Sequence, residues 1–231
     1  MKSKYFFILL VCVTCFQCNG QTKATPGTLK NRADSLGYAL GNNLGEFLKA
    51  NGVTDISKEI NTDMMIKAIK DATGNQKVAM SKEACSSAIN NFVTVKRSES
   101  ISKNKIAGEK FLAENKKKPG VVTLPSGLQY QVIKQGTGPK PTAADQVQVH
   151  YHGTLIDGTV FDSSVNRGEP ITHSASGFIA GWNEALLMMP TGSKWKLFVP
   201  SNLGYGDQGA GPQIPPGSTL IFDVELIKVN P

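Results

Sequence analysis

Apolar side chains recur at helical spacing through the N-terminal half of the chain. Between residues 34 and 50 they lie at Leu36, Leu40, Leu44, Phe47 and Leu48. This spacing predicts an amphipathic helix. A second helix is predicted from an Asn61 cap to Gly74, and a third from Ser81 to about Glu114. The third helix would exceed 30 residues, or roughly 45 Å at 1.5 Å per residue. Its polar part, residues 98–110, is typical of a stalk that crosses solvent between domains.

A glycine repeat accompanies the first helix. Gly37, Gly41 and Gly45 recur every fourth position beside the apolar stripe. Because glycine costs a helix about 1 kcal/mol per site, this repeat indicates a small-residue seam that lets another helix approach closely. The first two helices have no large apolar partner in this chain, which indicates that a second copy of the protein supplies it. The alternative is a glycine-weakened surface helix.

Alternation of apolar and polar residues dominates the C-terminal half and predicts β-strands. Val147, Val149 and Tyr151 alternate with polar residues, and residues 194–199 and 220–226 follow the same pattern. Each of these runs would present one apolar and one polar face.

Turn and helix signals complete the C-terminal half. Asp157-Gly158 predicts a two-residue hairpin turn, and residues 178–189 predict one short helix that Pro190 stops. The fold class is therefore α+β: a curved antiparallel β-sheet with one short packed helix. An all-α N-terminal domain and a long connecting helix precede this sheet.

Composition and charge narrow the classes of function. The 231 residues are enough for two modest domains, and 40% apolar composition is ordinary for globular protein. The net charge of +7 falls to about +5 without Lys2 and Lys4, and this scattered excess does not favour a nucleic-acid partner. The densest basic run, residues 116–118, adjoins Pro119-Gly120, where a solvated junction is favoured over a binding patch.

The first residues predict export. Two lysines precede an apolar run at residues 5–11, which is far shorter than the ~20 residues that a spanning helix needs. This pattern is typical of a secretory signal peptide. Cys12, Cys15 and Cys18 fall within or just after the run, and that placement resembles a bacterial lipoprotein signal. Cys18 is the first candidate for lipidation, since a polar tether follows it, while Cys15 and Cys12 stay open as acceptors. An ordinary cleaved signal is the alternative.

Several polar and aromatic side chains are candidates for a pocket. In the register of the predicted hairpin, Asp162 shares a face with Tyr151, whereas Phe161 points to the other face. A β-bulge must therefore re-aim Phe161 if both aromatic residues line one pocket. Trp182 on the short helix and Tyr205 in a glycine-rich loop add large amphipathic side chains. From these residues alone, a pocket and an ordinary core are equally supported.

An ordered set of motifs makes a specific resemblance. Residues 149–164 (VHYHGTLIDGTVFDSS), 178–182 (FIAGW), 204–206 (GYG), 214–216 (IPP) and 220–226 (LIFDVEL) resemble the FK506-binding-protein family of prolyl isomerases in order and spacing. Together they cover nearly all of residues 120–231.

The preceding residues resemble one subgroup of that family. Residues 108–116 (GEKFLAENK) and 124–130 (LPSGLQY) are similar to the bacterial subgroup that includes the macrophage infectivity potentiator. The resemblance implies an N-terminal helical domain that forms a homodimer and a long helix that leads to the isomerase domain. We therefore expect a lipoprotein-type signal peptide at 1–17, a flexible tether at 18–33, a helical dimerisation domain with stalk at 34–118 and an isomerase domain at 119–231.

The resemblance also implies a proline pocket. Its catalytic residues would be Tyr151, Phe161, Asp162, Ile179, Trp182, Tyr205 and Phe222. Within this set, Trp182 would form the floor, and Asp162 would pair with Tyr151. The backbone N–H of Ile179 and the hydroxyl of Tyr205 would hold substrate carbonyls. Substrate-binding residues around the pocket would be Arg167, Ile171, His173, Phe178 and Ile214, with Arg167 as a partner of Asp162.

Three positions depart from the family pattern. Ile171 and His173 stand where many members carry phenylalanine, and Ala210 replaces a histidine that is often found in the flap loop. These departures leave open the substrate preference and the binding of FK506-like macrolides more than the reaction itself.

The implied reaction asks for little chemistry. Rotation about the peptide C–N bond has a barrier of ~18–20 kcal/mol, and no bond is broken, so neither cofactor nor metal is required. Asp162 is expected to act as a structural hydrogen-bond partner, with a general base as the alternative. His150 and His152 have metal-compatible spacing, but no third ligand follows them, so surface histidines are favoured.

The sequence thus predicts a peptidyl-prolyl cis-trans isomerase that assists the folding of exported, proline-containing polypeptides. Its expected location is the periplasm, with a lipid anchor in the outer membrane or at the cell surface. The main alternative is a dimeric chaperone whose isomerase activity is incidental, because paired apolar clefts favour avidity. A surface adhesion protein is a further alternative.

Overall fold

The computed structural model describes residues 29–53, 55–74 and 76–230. The predicted signal peptide at 1–17, the lipidation candidate Cys18 and most of the predicted tether lie outside the described residues. The chain divides into two compact units, and the boundary lies between Gly45 and Glu46. No helix in the described ranges combines the length and apolar character needed to cross a membrane.

Four helices precede the sheet in the described part of the chain: α1 (Arg32–Ala50), α2 (Ile56–Glu59), α3 (Thr62–Thr73) and α4 (Lys82–Asn115). The Asn61 side chain accepts a hydrogen bond from the Met64 N–H at 3.0 Å, and Ser81 accepts one from Ala84 at 3.1 Å. These caps begin α3 and α4 where the sequence predicted. The single-turn α2 was not predicted, because four residues are too few to show a period of 3.6.

The strands of the described residues form one antiparallel sheet in the order β1-β2-β6-β7-β3-β4, while β5 pairs with β3. Their bounds are β1 (Val121–Thr123), β2 (Gln129–Lys134), β3 (Gln146–Leu155), β4 (Val160–Ser163), β5 (Ile171–Ser174), β6 (Lys194–Val199) and β7 (Leu220–Asn230). Two α-helices lie between strands: α5 (Ser164–Arg167) follows β4, and α6 (Ala180–Leu186) follows β5. A 3-10 helix, Ser201–Leu203, lies between β6 and β7. The predicted α+β fold is confirmed.

The core lies between one face of the sheet and α6. Trp182, Ala185 and Leu186 of α6 are buried against the apolar residues that alternate along β3, β6 and β7. Gly181 lets α6 approach β6 closely, since a Cβ atom there would lie 2.7 Å from Val199 Cγ1. The sheet and α6 therefore bury a common apolar surface, which fixes the position of Trp182.

The turn between β3 and β4 is one residue longer than predicted. The Leu155 N–H donates to the Thr159 carbonyl over 2.9 Å, so residues 156–158 form a three-residue loop. Gly158 takes a φ of 87°, the left-handed conformation that such a loop requires at its last position. The prediction of a two-residue turn was wrong because the Asp-Gly pair also suits this longer loop.

A β-bulge follows in β4. Thr154 pairs with Val160 while Gly153 pairs with Asp162, so Phe161 is the extra residue between the two pairs. The bulge turns Phe161 toward the same side as Tyr151, and both side chains line one cavity.

The C-terminal part of α4 packs against the sheet. The Phe111 and Phe198 rings lie 6.0 Å apart, and the Gln129 side chain donates to the Leu112 carbonyl at 2.9 Å. Asn115, which is fully buried, donates to Gln129 at 3.0 Å. The expectation that residues 98–110 of α4 cross solvent was wrong, because the Asn104 side chain donates to the Pro216 carbonyl at 2.8 Å and Gly108 lies against Thr219. These polar and glycine contacts leave no hydrophobic signal in the sequence.

Candidate active site

A cavity of about 550 Å³ opens between the sheet, α6 and the segment that precedes β7. The side chains and backbone that line it are those of Tyr151, Phe161, Asp162, Ile171, Gly177, Phe178, Ile179, Trp182, Tyr205, Ala210, Gln213, Ile214 and Phe222. Most of these are apolar or aromatic, as is usual for a site that binds a small apolar group.

Trp182 forms the floor of this cavity and is only 3% exposed. Its ring meets Tyr151 and Phe222 edge to face, with centroids 5.5 and 5.1 Å apart. Phe161 meets Phe222 in the same way at 5.4 Å, and Phe178 lies 5.0 Å from Trp182. Since edge-to-face packing fixes each ring relative to the next, the cavity has rigid apolar walls.

One wall carries a connected polar group. The Tyr151 hydroxyl donates to the Asp162 carboxylate and accepts a hydrogen bond from Arg167 at 3.0 Å. Arg167 also forms an ion pair with Asp162. The one-turn α5 begins at the Ser163 cap and returns Arg167 toward Asp162. Each polar atom that faces the cavity from this wall therefore has a partner.

These contacts shift the pKa values of the group. Burial, followed by the hydrogen bond to Asp162, raises the pKa of Tyr151. Partial burial acts to raise the pKa of Asp162, but the hydrogen bonds from Tyr151 and Arg167 outweigh it, so this pKa is lowered. Hydrogen bonds to Tyr151 and Asp162 raise the pKa of Arg167. In neutral solution the group therefore consists of a neutral phenol, a carboxylate and a guanidinium.

All the residues predicted as catalytic line the cavity, and so do Ile171, Phe178 and Ile214. Arg167 and His173 do not line it. Arg167 lies behind the wall that Tyr151 and Asp162 form, while the His173 ring packs on Phe178 at 5.2 Å. His173 thus lies outside the lining, because β5 directs it toward Phe178 and Gly177.

Two lining residues, Gly177 and Gln213, were missed by the sequence reasoning. Neither belongs to a motif, but the structure explains why a small residue stands at position 177. A Cβ atom there would lie 2.1 Å from Cε1 of His173, so a larger residue would displace the His173 ring. Gln213 directly precedes the IPP motif at residues 214–216, and this adjacency is a sequence feature from which its place in the cavity could have been predicted.

His150 and His152 each have a hydrogen-bond partner. The Nδ1 atom of His150 lies 3.0 Å from Ser164 Oγ, and that of His152 lies 3.0 Å from Ser163 Oγ. Both histidines are on the side of β3 opposite the cavity, as the alternation predicts. Among the residues that the structure describes, no three potential metal-ligating side chains converge.

Two family models match this chain. The model of the FKBP-type peptidyl-prolyl cis-trans isomerase matches residues 138–227, and the model of the domain amino terminal to that isomerase matches residues 33–132. The outer membrane protein MIP of Legionella longbeachae is 41% identical over 237 residues, which cover 100% of this chain and 99% of the relative.

The chain belongs to the FKBP-type peptidyl-prolyl cis-trans isomerases.

Further relatives of this isomerase agree. The FKBP-type 22 kDa peptidyl-prolyl cis-trans isomerase of Escherichia coli K12 is 42% identical, over 83% of this chain and 93% of the relative. The crystal structure of FkpA from Escherichia coli matches with a TM-score of 0.66 at 36% identity, over 88% of this chain and 99% of that structure. The predicted isomerase activity is confirmed, and the chaperone alternative is not favoured. The name of the Legionella relative agrees with an exported protein.

Proposed function

We propose that the cavity above Trp182 binds the proline ring of an X-Pro segment and stabilises the twisted peptide bond without covalent chemistry. The observation that carries this proposal is the rigid set of edge-to-face rings that encloses the cavity. The planar amide is more dipolar than the twisted one, so a site that withholds water favours the twisted state. Binding that is stronger in the twisted state lowers the barrier of ~18–20 kcal/mol.

Two donors at the rim are positioned to hold the substrate backbone. In the described residues, the Ile179 N–H takes part in no intramolecular hydrogen bond, because Ile179 is the residue before α6. The Tyr205 side chain is 40% exposed at the mouth of the cavity. Both groups would donate to substrate carbonyls and align the segment with the proline ring over Trp182.

Asp162 serves in this proposal as a structural acceptor. Its carboxylate is already paired with the Tyr151 hydroxyl and the Arg167 guanidinium, and its pKa is lowered. A general base needs a pKa near the working pH and a free path to the proton that it removes. Arg167 holds Tyr151 and Asp162 in position and does not contact the substrate itself. In the same way, His173 positions Phe178, on which its ring packs.

The direct test is the isomerisation rate of short X-Pro peptides with the full chain, measured by protease-coupled assay or NMR exchange. We expect acceleration by the wild type and a strong loss in Phe222→Ala. The matched control is Val165→Ala, because Val165 is an exposed apolar residue outside the cavity lining. A wild type without acceleration, or a Phe222→Ala variant as active as Val165→Ala, would contradict the cavity assignment.

We infer that the N-terminal helices form a homodimer. Within one chain, apolar side chains of α1, α3 and α4 are exposed: Leu36, Tyr38, Leu40, Met64, Ile66, Ile69, Ile89 and Val95. A second copy of the same helices would cover these side chains and build a common core. In this proposal, residues 34–118 form the dimerisation domain and the long connecting helix, and residues 119–231 form the isomerase domain.

The exported protein is proposed to carry a lipid on Cys18 and to reside on the outer membrane or cell surface, facing proline-containing polypeptides in transit. The support is the apolar run at residues 5–11 followed by cysteine and a polar tether. Growth with a labelled fatty acid should mark the mature protein, and Cys18→Ser should abolish the mark. Retained labelling would move the acceptor to Cys15 or Cys12, and an unmarked wild type would rule out the anchor.

Binding of an FK506-like macrolide is proposed to use the same cavity. Ile171 and Ala210 both line it, and each is smaller than the residue that the family often carries there. Fewer contacts should give weaker binding, and Ala210→His should strengthen it. Competition between FK506 and an X-Pro peptide would show whether they share the cavity; independent binding would contradict the proposal.

A further inference from the structure

The loop at residues 207–217 forms one wall of the cavity. Ala210, Gln213 and Ile214 line the cavity from this loop. Paired backbone hydrogen bonds between Ala210 and Ile214, at 2.9 and 3.2 Å, hold the lining segment together. The base of the loop closes where the Gly217 N–H donates to the Gly206 carbonyl at 2.9 Å. These hydrogen bonds join the loop into one unit, and the position of this unit sets the width of the cavity.

Helix α4 contacts the base of this loop directly. The Asn104 side chain donates to the Pro216 carbonyl at 2.8 Å, and Asn104 is partly buried. One turn earlier, Ile101 lies against Gly217, where a Cβ atom would approach the Ile101 carbonyl to 2.8 Å. Gly217 also has a φ of 76°, so a larger residue there would be strained as well as crowded. The base of the loop is thus fitted to the surface of α4.

Charged residues of α4 contact the start of the loop. The Arg97 guanidinium donates to the Asp207 carbonyl at 2.9 Å and to the Gln208 side chain. Lys105 forms an ion pair with the Asp207 carboxylate at 2.7 Å, but the Lys105 and Asp207 side chains are 42% and 54% exposed. Because exposed ion pairs stabilise weakly, Lys105 restrains the loop less than the partly buried Asn104 does. The hydrogen bonds of Arg97 are also exposed to solvent, so water competes with them.

The contacts at the two ends of the loop differ in kind. A second cavity of about 590 Å³ lies on the α4 side of the loop, and its lining includes Arg97, Gln208, Gly211, Pro212, Pro215 and Pro216. The start of the loop is held from α4 by side-chain contacts of Arg97 and Lys105. At the base, Pro215 and Pro216 have no N–H to donate, so the carbonyl of Pro216 is the group through which α4 can hold this part of the backbone.

We propose that α4 positions the 207–217 loop as a wall of the proline cavity, with Asn104 as the principal positioning residue and Arg97 as the second. The long helix is then part of the isomerase site and not only a connection. Because the loop contributes binding surface and no reacting group, release of the loop weakens substrate binding and leaves the rotation step of the bound substrate nearly unchanged. The inference rests on the proposed assignment of the cavity as the proline site.

The test compares full-length variants on one X-Pro peptide, with KM and kcat determined separately by NMR exchange over a range of peptide concentrations. Asn104→Ala removes the donor and should raise KM by about threefold or more, while kcat stays within about twofold. Asn104→Gln keeps a carboxamide donor and should recover part of the loss. Ser102→Ala, at an exposed position two residues away on α4, should behave as wild type.

A second variant guards against a folding effect of Asn104→Ala. Arg97→Lys keeps the charge but loses the guanidinium nitrogen that donates to both Asp207 and Gln208, and it should raise KM by about twofold. Equal KM values for Asn104→Ala, Arg97→Lys and Ser102→Ala would overturn the inference, as would a loss confined to kcat. If Phe222→Ala is also fully active, the cavity assignment itself fails, so the two failures are distinguishable.

Discussion

Tyr151 and Asp162 have pKa values that are shifted in opposite directions, and both shifts keep the pair in one protonation state. Burial and the hydrogen bond to Asp162 raise the pKa of Tyr151, so its hydroxyl stays protonated in neutral solution. Hydrogen bonds from Tyr151 and Arg167 lower the pKa of Asp162 despite its partial burial. The cavity wall therefore presents the same charges to substrate across the neutral range.

The first prediction is that kcat/KM is flat from about pH 6 to 8, because no group must gain or lose a proton during turnover. The same pKa shift affects folding. Because the pKa of Asp162 is lower in the folded state, the carboxylate stabilises the folded protein above the unfolded pKa of about 3.9, and this stabilisation is lost as pH falls through the folded pKa. The Asp162 side chain is 44% exposed, so this contribution is small. Peptide assays across this range are the measurement, and a bell-shaped profile would contradict the account.

The second prediction separates exclusion of water from proton transfer. Phe222→Ala or Tyr205→Ala should open the cavity and lower kcat/KM by at least about tenfold, or ~1.4 kcal/mol of transition-state stabilisation. Asp162→Asn keeps the shape and most hydrogen bonds, so its loss should be smaller. Circular dichroism would verify that each variant is folded. Near-complete loss in Asp162→Asn would instead make the carboxylate a proton-transfer group.

The predictability of individual residues depends on the kind of contact that places them. Tyr151 was predictable because strand alternation alone directs it inward. Gly177 was not, because its role depends on the His173 ring, which reaches it from another element. Asn104 was missed for the same reason, since its partner Pro216 is distant in sequence.

At the scale of elements, a bulge and a longer turn together decide which side chains of β4 face the cavity. The three-residue turn shifts the start of β4 by one position, and the bulge at Phe161 restores the register at Asp162. Strand register normally sends neighbours to opposite faces. The bulge therefore allows Phe161 and Asp162 to line the same cavity.

The third prediction concerns Gly153, which lies beneath the bulged Phe161. A Cβ atom at Gly153 would lie 2.6 Å from the Phe161 ring and 3.0 Å from the Phe222 ring. Gly153→Ala should displace these rings and lower kcat/KM by roughly fivefold or more. Thr154→Ala, the next residue along β3, is the control in the same peptide assay. Equal activities of the two variants would show that the rings tolerate displacement.

Helix ends were predictable where a cap is encoded locally. Asn61 and Ser81 begin α3 and α4 as their side chains require, and the bulge at Phe161 was anticipated from the need to share a pocket. The one-turn α5 was missed, because its Ser163 cap is followed by too few residues to show helical periodicity. Local sequence signals thus predicted the long helices, whereas the short helices depend on tertiary contacts.

At the scale of the whole molecule, α4 carries two different kinds of surface. Its C-terminal part contacts the sheet through Phe111 and Asn115. Its N-terminal part has apolar residues, Ile89 and Val95, that are more than half exposed in one chain. The exposed apolar residues at this end are the surface that the proposed second copy would cover.

The fourth prediction tests that partner at the glycine seam of α1. Among the described residues, and apart from the adjoining backbone of α1, no atom lies within 4 Å of a Cβ atom built at Gly37, Gly41 or Gly45, so larger side chains fit the isolated helix. Replacing glycine also removes a helix penalty of about 1 kcal/mol per site, so Gly41→Leu should not unfold α1. If the seam packs against a second copy, leucine should force the helices apart and convert a dimer to monomer in sedimentation. Asn42→Leu, an exposed neighbour outside the seam, should remain dimeric. A Gly41→Leu protein that sediments like wild type would contradict the seam and place the interface on another face of the helices. If Gly41→Leu is instead a monomer, peptide isomerisation at the wild-type rate would show that the proline cavity needs only one chain.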